Sequence, residues 1–519
     1  MANICTSNIT SGFIDLATFD EIEKYMYGGP DATAYFVRET RKSTWFTQVP
    51  VILTKASGSA GFGNDWSAQI SRAGDYLLQT WLRVGIDPVV LASSVGALSY
   101  LSMASQACVD QLNTLGYTIP PKYTIRWTNN LAHNLVKECA ITFNDLVAAR
   151  FDSSHLDFWA AFTVPAGKRN GYLNMIGNNT SFTQPVGPGQ KLMGGVLNLP
   201  LPFFYGRDSG VALPTAALPY NDMRINLCFR DWEHLLIGQW SDLGCYQICT
   251  TTTTVKPDYL AAPPTIRQND CNVWANYAIV SNDERKRMAC APRDILIEQV
   301  QSAPWQDFRA VSSNPFNYDI RFSHAIKVLF FAARNITSRQ ILSNYTTVEP
   351  IVIAVNGKWG NSIYDQYYTV YNPSIRADPI STTSLVYENT ARLYAMGSDY
   401  YSLVNPYFNA PNIPIETGYH SYSYSLDFIC LDPMGSTNYG KLTNVSIQPT
   451  PSAAAVLASY APGTAPCDPG SMLNYPANIP GPSPPTPGYS TNQVYQFIVT
   501  AVNNNIIRIS GGALGFPVL

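Results

Sequence analysis

The sequence predicts an all-β protein built as two antiparallel sandwich domains, and three observations carry that prediction. The chain has 519 residues, more than one hydrophobic core usually organises, so two domains are expected. Apolar and polar residues alternate in short runs, the period-2 signature of strands with one buried face. Charged residues make up only 13% of the chain, against roughly 25% in ordinary soluble domains. Their place is taken by Ser, Thr, Asn, 32 Tyr and 37 Pro, the residues of strands and turns.

Taken in chain order, the first element is a helix. Thr18 stands as its N-cap, Glu21 closes a capping box three residues later, and Gly28-Gly29 ends it. Strands then dominate, apart from a second short helix expected from Ser281 with Glu284 in the same relation. Met223, Ile225, Leu227 and Phe229 alternate with Arg224, Asn226 and Cys228; Tyr422, Tyr424, Leu426 and Phe428 alternate with Ser423, Ser425 and Asp427. Phe497, Val499 and Ala501 repeat the pattern loosely, because Ile498 lies between them. Such strands belong to antiparallel sheets with one face on a core. The more apolar run Ala325–Ala333 is expected deeper, or at an interface. Ile125-Arg126-Trp127-Thr128 is echoed by Ile320-Arg321-Phe322-Ser323, a faint sign of internal repetition.

Three stretches, 85–122, 240–270 and 449–491, read as long connections rich in Pro, Thr or Gly and leaving from the sandwich ends. The expected organisation is an N-terminal segment with a short helix over 1–30 and a first sandwich over 31–240. A linker over 241–270 and a second sandwich over 271–519 complete it.

Composition excludes several functions. Net charge is −3 and the longest basic cluster is Glu284 to Arg287, too little to neutralise packaged nucleic acid, so no direct nucleic-acid binding is expected. Mean hydropathy is −0.05, no apolar run approaches the roughly 18 residues of a membrane span, and no signal peptide is legible. Ala2, standing where N-myristoylation requires a glycine, speaks against that modification. The ten cysteines lack a framework, and Cys139 and Cys228 sit in apolar strands, so reduced thiols are expected. The sequons at Asn8, Asn178, Asn179, Asn335, Asn344 and Asn444 read first as turn residues.

No nucleotide-binding, zinc or nucleophile motif occurs. Cys245 and Cys249 lack further ligands at finger spacing, and Ser59 lacks the flanking glycines of a nucleophile elbow. His133, His155, His234, His324 and His420 are the only histidines; His133 and His324, beside strands, are expected to be structural. No catalytic, cofactor-binding or metal-binding residue is assigned, and no cofactor is expected. The competing reading is a carbohydrate-binding or glycoside-cleaving β-sandwich, with aromatics lining a groove and Asp15, Asp208 and Glu298 as candidate carboxylates.

Eight segments carry a family resemblance: ITSGFIDLATFDEIEKYMYGG (Ile9–Gly29), DATAYFVRE (Asp31–Glu39), NDLVAARFDSSHLDFW (Asn144–Trp159), LPLPFFYGRDSGVALPTAALPYNDMRI (Leu199–Ile225), RDILIEQVQ (Arg293–Gln301), IRFSHAIKVLFF (Ile320–Phe331), DPMGSTNYGKLTNVSI (Asp432–Ile447) and NNIIRISGGALGFPVL (Asn504–Leu519). Through them the chain resembles, end to end, the major capsid proteins of the large icosahedral double-stranded DNA viruses, in particular the iridovirus branch. The resemblance implies a double jelly roll, two tandem eight-stranded antiparallel sandwiches, with neither active site nor cofactor. It implies a homotrimer forming a pseudo-hexagonal capsomer, with neighbouring capsomers, minor capsid and penton proteins as partners and an internal viral membrane nearby. It places the protein in the virion, made and assembled in host cytoplasm, with the N-terminal helix facing the membrane; the 449–491 loop, leaving from a sandwich end, is expected on the outer end of the capsomer. The three long connections are where the chain departs from the family pattern.

Overall fold

The computed structural model describes residues 2–30, 32–38, 40, 42–97, 123–243, 248–290, 292–337, 340–347, 378–460 and 493–515. Most of the 85–122 and 449–491 connections therefore lies outside the described residues. The chain divides into two compact units, residues 1–45 and 46–519.

The first unit holds two helices, Ala2–Ala17 and Glu21–Tyr27. The capping box is formed by Asp20 and Glu23, not by Thr18 and Glu21. Thr18 instead donates its hydroxyl to the Asp15 carbonyl at the end of the preceding helix, which leaves Asp20 as the first free acceptor for the next helix's amides.

The second unit contains both sandwiches. In the first, strands Phe46–Ile52, Ile266–Val280, Tyr76–Ile86 and Gly195–Pro200 make one sheet; Thr54–Gly58, Asp65–Gln69, Met223–Phe229, Val136–Phe143 and Leu146–Asp152 make the other. In the second, Arg293–Ser302, Tyr495–Ser510, Ala325–Asn335 and His420–Ser423 form the spine of one sheet, and Tyr318–Asp319, Val445–Pro451, Ile380–Tyr387 and Thr390–Gly397 form the other. Each sandwich thus has the strand order of a jelly roll. The expected linker over 241–270 is corrected: Leu236–Leu243 and Ile248–Thr254 form a hairpin extending Tyr123–Trp127. Ile266–Val280 pairs with both Phe46–Ile52 and Tyr76–Ile86, so the first sandwich closes only at Val280. The polar insertion between Arg267 and Asn272, where the register shifts, hides this strand's periodicity.

Met223–Phe229 alternates buried and half-buried residues along its whole length. The helix expected after Ser281 is found at Asn282–Cys290. The strand expected over Tyr422–Phe428 stops at Ser423. Ser423 donates its hydroxyl to the Ser425 carbonyl and Ser425 donates to that of Asp427, so local turns displace the ladder and Leu426 is exposed. Helices Ser153–Thr163 and Ala166–Met175 interrupt a stretch read as strand and turn.

The repeat legible in the structure is not the Ile125/Ile320 echo, since Ile125 pairs within a strand while Ile320–Ser323 follows one. It is the hairpin of each sandwich. Asn144-Asp145 and Glu388-Asn389 both turn with two positive-φ residues (48° and 66°; 47° and 63°), a geometry matched to strand twist. The Asn144 amide donates to the Asp222 carbonyl, and the Asp222 amide returns to Asn144 Oδ1 at 2.7 Å. The Glu388 amide donates to the Asn444 carbonyl, and the Asn444 amide returns to Glu388 Oε1 at 3.2 Å. Each clamp holds the residue just before the strand that pairs alongside, Met223–Phe229 or Val445–Pro451. Asn144→Ala loses both the tolerance of positive φ and the return bond, so its unfolding midpoint should fall by the equivalent of about 2 kcal/mol. Asn144→Gly, which keeps the backbone geometry, should lose about half of that; equal losses in calorimetry would contradict the clamp.

Candidate functional site at the sandwich seam

The two sandwiches meet along a seam that the helix Ser153–Thr163 builds. Asp152 caps it, accepting the His155 amide at 2.8 Å. Leu156 points into the first core. Phe158 and Phe162 turn outward against the far face of the second sandwich's sheet, where Val328, Phe330, Ala332, Ile498 and Val502 stand. Phe330 stacks between the two helix rings, 6.1 Å from Phe158 and 5.3 Å from Phe162. Ala325–Asn335 and the first half of Tyr495–Ser510, up to Asn503, are therefore buried on both faces: Leu329, Phe331, Phe497 and Val499 face the inner core, and Phe330 and Ile498 face the seam. This explains the loose alternation around Ile498 and the unbroken apolar run after Ala325.

Polar ties cross the same seam. The Asp157 carboxylate receives Asn130 Nδ2 (3.1 Å) and His133 Nδ1 (2.7 Å) on one oxygen, and the hydroxyls of Ser343 (2.7 Å) and Tyr345 (3.1 Å) on the other. Two of these donors come from the first sandwich's side and two from the second's. His133 Nε2 in turn meets the Tyr172 hydroxyl at 2.7 Å. Further along, Glu298 lies between two cations, Lys327 at 2.6 Å and Arg207 at 3.1 Å. Lys327 also donates to the Cys430 carbonyl, and the Arg207 guanidinium lies over the Trp159 ring at 3.6 Å. Burial pulls Arg207 below its ordinary range, with Glu298 opposing. Burial, aided by Arg207, presses the His155 imidazole from 6.5 to about 3. This ring is packed among Phe151, Trp159 and Phe330.

The arrangement binds two bodies together; it does not present reacting groups to a substrate. Asp208 caps a short turn by accepting the Gly210 amide, Glu298 is enclosed in its ion triad, and Asp15 stands exposed on the N-terminal helix. His420 is held by Asp378 at 2.7 Å, His324 lies in a positive-φ turn, and His234 is exposed. Ser59 accepts a bond from Asn64 in an exposed turn. Among the described residues no cluster of three or more His, Cys, Asp or Glu is placed to hold a metal, and no helix is long and apolar enough to cross a membrane. Cys139 and Cys271 are buried free thiols, and Cys228 and Cys430 are half-buried and free; Cys245 lies outside the described residues. Asn179 caps a helical turn, Asn335 is buried and donates to the Thr346 carbonyl, Asn344 closes a turn with Thr346, and Asn178 donates to Asn130. Asn444 belongs to the second hairpin clamp, while the Asn8 side chain lies outside the described residues. Sequence reasoning missed the seam's helix residues. Their one signal is the Asn144–Trp159 segment, whose strand alternation breaks at Asp152-Ser153-Ser154.

Two outcomes test the seam. Between pH 6.5 and about 3 the unfolded chain binds a proton at His155 that the folded chain refuses. Stability should therefore fall as pH falls, by up to about 1.4 kcal/mol per unit from this group. Thermal melts of His155→Leu across pH 4–7 should show a shallower decline than wild type, and identical slopes would refute the assignment. Glu298→Gln leaves two buried cations without their shared anion and should cost about 3–5 kcal/mol, read as a lowered melting temperature; an unchanged one would contradict the triad.

Comparison with known proteins agrees with this architecture. Residues 34–280 match the family described as "Major capsid protein N-terminus", and residues 284–466 match "Large eukaryotic DNA virus major capsid protein". The chain is 56% identical over 513 residues to the major capsid protein of Tipula iridescent virus, covering 98% of each chain. It is 55% identical to that of Invertebrate iridescent virus 6 and 40% identical to that of Frog virus 3 (isolate Goorha), with full coverage of both chains in each case. Among solved structures, the PBCV-1 virus capsid gives a TM-score of 0.65 at 19% identity, covering 94% of this chain and 100% of that one. The Faustovirus major capsid protein gives 0.59 at 11% identity, covering 98% and 99%. These structural neighbours share the double jelly roll.

Proposed function

The chain belongs to the major capsid protein family of the iridoviruses, and from that premise we propose that three copies assemble into a pseudo-hexagonal capsomer that tiles the icosahedral outer shell. A major capsid protein is a structural component of the virion and not an enzyme. The observation that carries the finer reading is the repeat: two sandwiches with the same hairpin, the same clamp and a helix after each lie side by side in one chain. Two similar bodies per chain make six around a three-fold axis, so a trimer presents six roughly equivalent sides and packs a flat lattice.

The low charge supports wide lateral contact, since little repulsion has to be overcome when sides approach. Weak polar contacts between capsomers suit a shell that must correct misplaced units, whereas strongly apolar sides trap errors. Minor capsid and penton proteins are the proposed neighbours, with an internal membrane beneath and no direct contact with nucleic acid. Synthesis and assembly in host cytoplasm complete the proposal.

Light scattering on the purified chain should give a mass about three times 57.2 kDa, and electron microscopy should show hexagonal particles. A monomer at every concentration would refute the trimer.

A further inference from the structure

The helix that builds the seam has a counterpart in the second sandwich. It follows the strand Thr390–Gly397 as a π-helical turn, Tyr400–Val404, continuous with an α-helical one, Asn405–Asn409. Counted from the last residue of the preceding strand, Asp152 or Gly397, the two helices match position by position. Leu156 and Tyr401 both stand four residues on, and both are buried in the core of their own sandwich. Phe158, Trp159 and Phe162 stand six, seven and ten residues on; Leu403, Val404 and Tyr407 hold the same places. The first set is packed into the seam. The second set is open: Leu403 is 51% exposed, Val404 42% and Tyr407 69%, with Phe408 beside it at 74%.

The surface that receives the first helix also has a counterpart. Phe330 is the sixth residue of the 11-residue strand Ala325–Asn335, and it faces away from its own sandwich's core. Trp81 is the sixth residue of the 11-residue strand Tyr76–Ile86. It faces away from the core too, because its neighbour Leu82 is the core residue. Trp81 pairs with Trp274 on one side and Pro200 on the other, and Ile52 follows Trp274 in the same row. The two indoles stack at 6.1 Å and are only half-buried, and Ile52 is exposed.

We propose that Leu403, Val404, Tyr407 and Phe408 of one copy dock on the Ile52–Trp274–Trp81–Pro200 row of a second copy of this chain, repeating between chains the contact that Phe158 and Phe162 make with Phe330 within one. The proposal rests on the self-assembly reading above and deepens it by assigning the surface. Each copy offers one helix and one sheet face, two different patches, so the contact is heterologous and closes by going round a ring. Three copies then hold six such contacts, three within chains and three between them. An exposed pair of aromatics facing a tryptophan platform is the composition expected of an interface centre. Charge does not oppose it, since none of these eight side chains is an acid or a base of the Asp, Glu, Lys, Arg or His kind.

The test compares wild type, the double variant Tyr407→Asp/Phe408→Asp, the single variant Ile52→Asp on the opposing patch, and Tyr394→Asp as a control on an equally exposed aromatic. Light scattering gives the mass and calorimetry the melting temperature of each. Support is a trimeric wild type and control, with the double variant and Ile52→Asp shifted to about one third of that mass and each monomer retaining a cooperative melt. A double variant that stays trimeric overturns the docking while leaving the trimer standing. A monomeric wild type overturns the underlying self-assembly reading instead. Should Ile52→Asp lose its cooperative melt, the pair Ile52→Cys and Phe408→Cys decides: a disulfide between copies, absent from either single variant on a non-reducing gel, supports the docking, and no such band overturns it.

Discussion

The centre of the second sandwich's main sheet is buried on both faces, and the rest of the molecule depends on that constraint. A sandwich needs only one apolar face per sheet, so a strand such as Ala325–Asn335, buried on both, requires a third layer. The helix Ser153–Thr163 supplies it. Removing Phe158, Phe162 and Phe330 from water stabilises the seam by roughly 1.5–3 kcal/mol for each ring, and planar stacking restricts how the two bodies can slide. The long strands add a second join: Ile295, Ile297, Ile507 and Ile509 run on into the first sandwich's core.

Apolar packing alone leaves orientation loosely defined, and the polar ties supply the angle. Asp157 gathers donors from both sides of the seam, and a carboxylate with four donors tolerates little rotation of either body. The Arg207–Glu298–Lys327 triad adds fixed directions at a desolvation cost that its mutual attraction only partly offsets. Such groups contribute more to a single geometry than to total stability. A subunit of the proposed shell has that need, because an error in the angle between its halves would propagate through every lattice contact.

The two sandwiches use the same local devices at corresponding places: a two-residue left-handed turn, a reciprocal clamp and a helix directly after the second hairpin strand. The sequences at those places share almost nothing; Asn144-Asp145 stands against Glu388-Asn389 and Phe158 against Leu403. Backbone geometry is what the repeat preserves, since any residue that tolerates positive φ and any side-chain oxygen of suitable reach can form the clamp.

By itself the sequence determined that the protein is all-β and built from two antiparallel sandwiches, and it shows no legible catalytic motif. Strand Met223–Phe229 was readable because one face meets core and the other does not, which writes a period of two into the residues. The sequence points to Thr18, two positions before the true cap Asp20, because both offer a side-chain acceptor and only the end of the preceding helix chooses between them. Strand Ile266–Val280 was hidden by a polar bulge, and Tyr422–Phe428 imitated a strand until serine hydroxyls turned it. The seam helix was illegible for a deeper reason: an element covered on nearly every side carries no amphipathic stripe. Which faces are covered depends on contacts between residues far apart in the chain, such as Phe158 with Phe330. Only the tertiary structure decides those contacts.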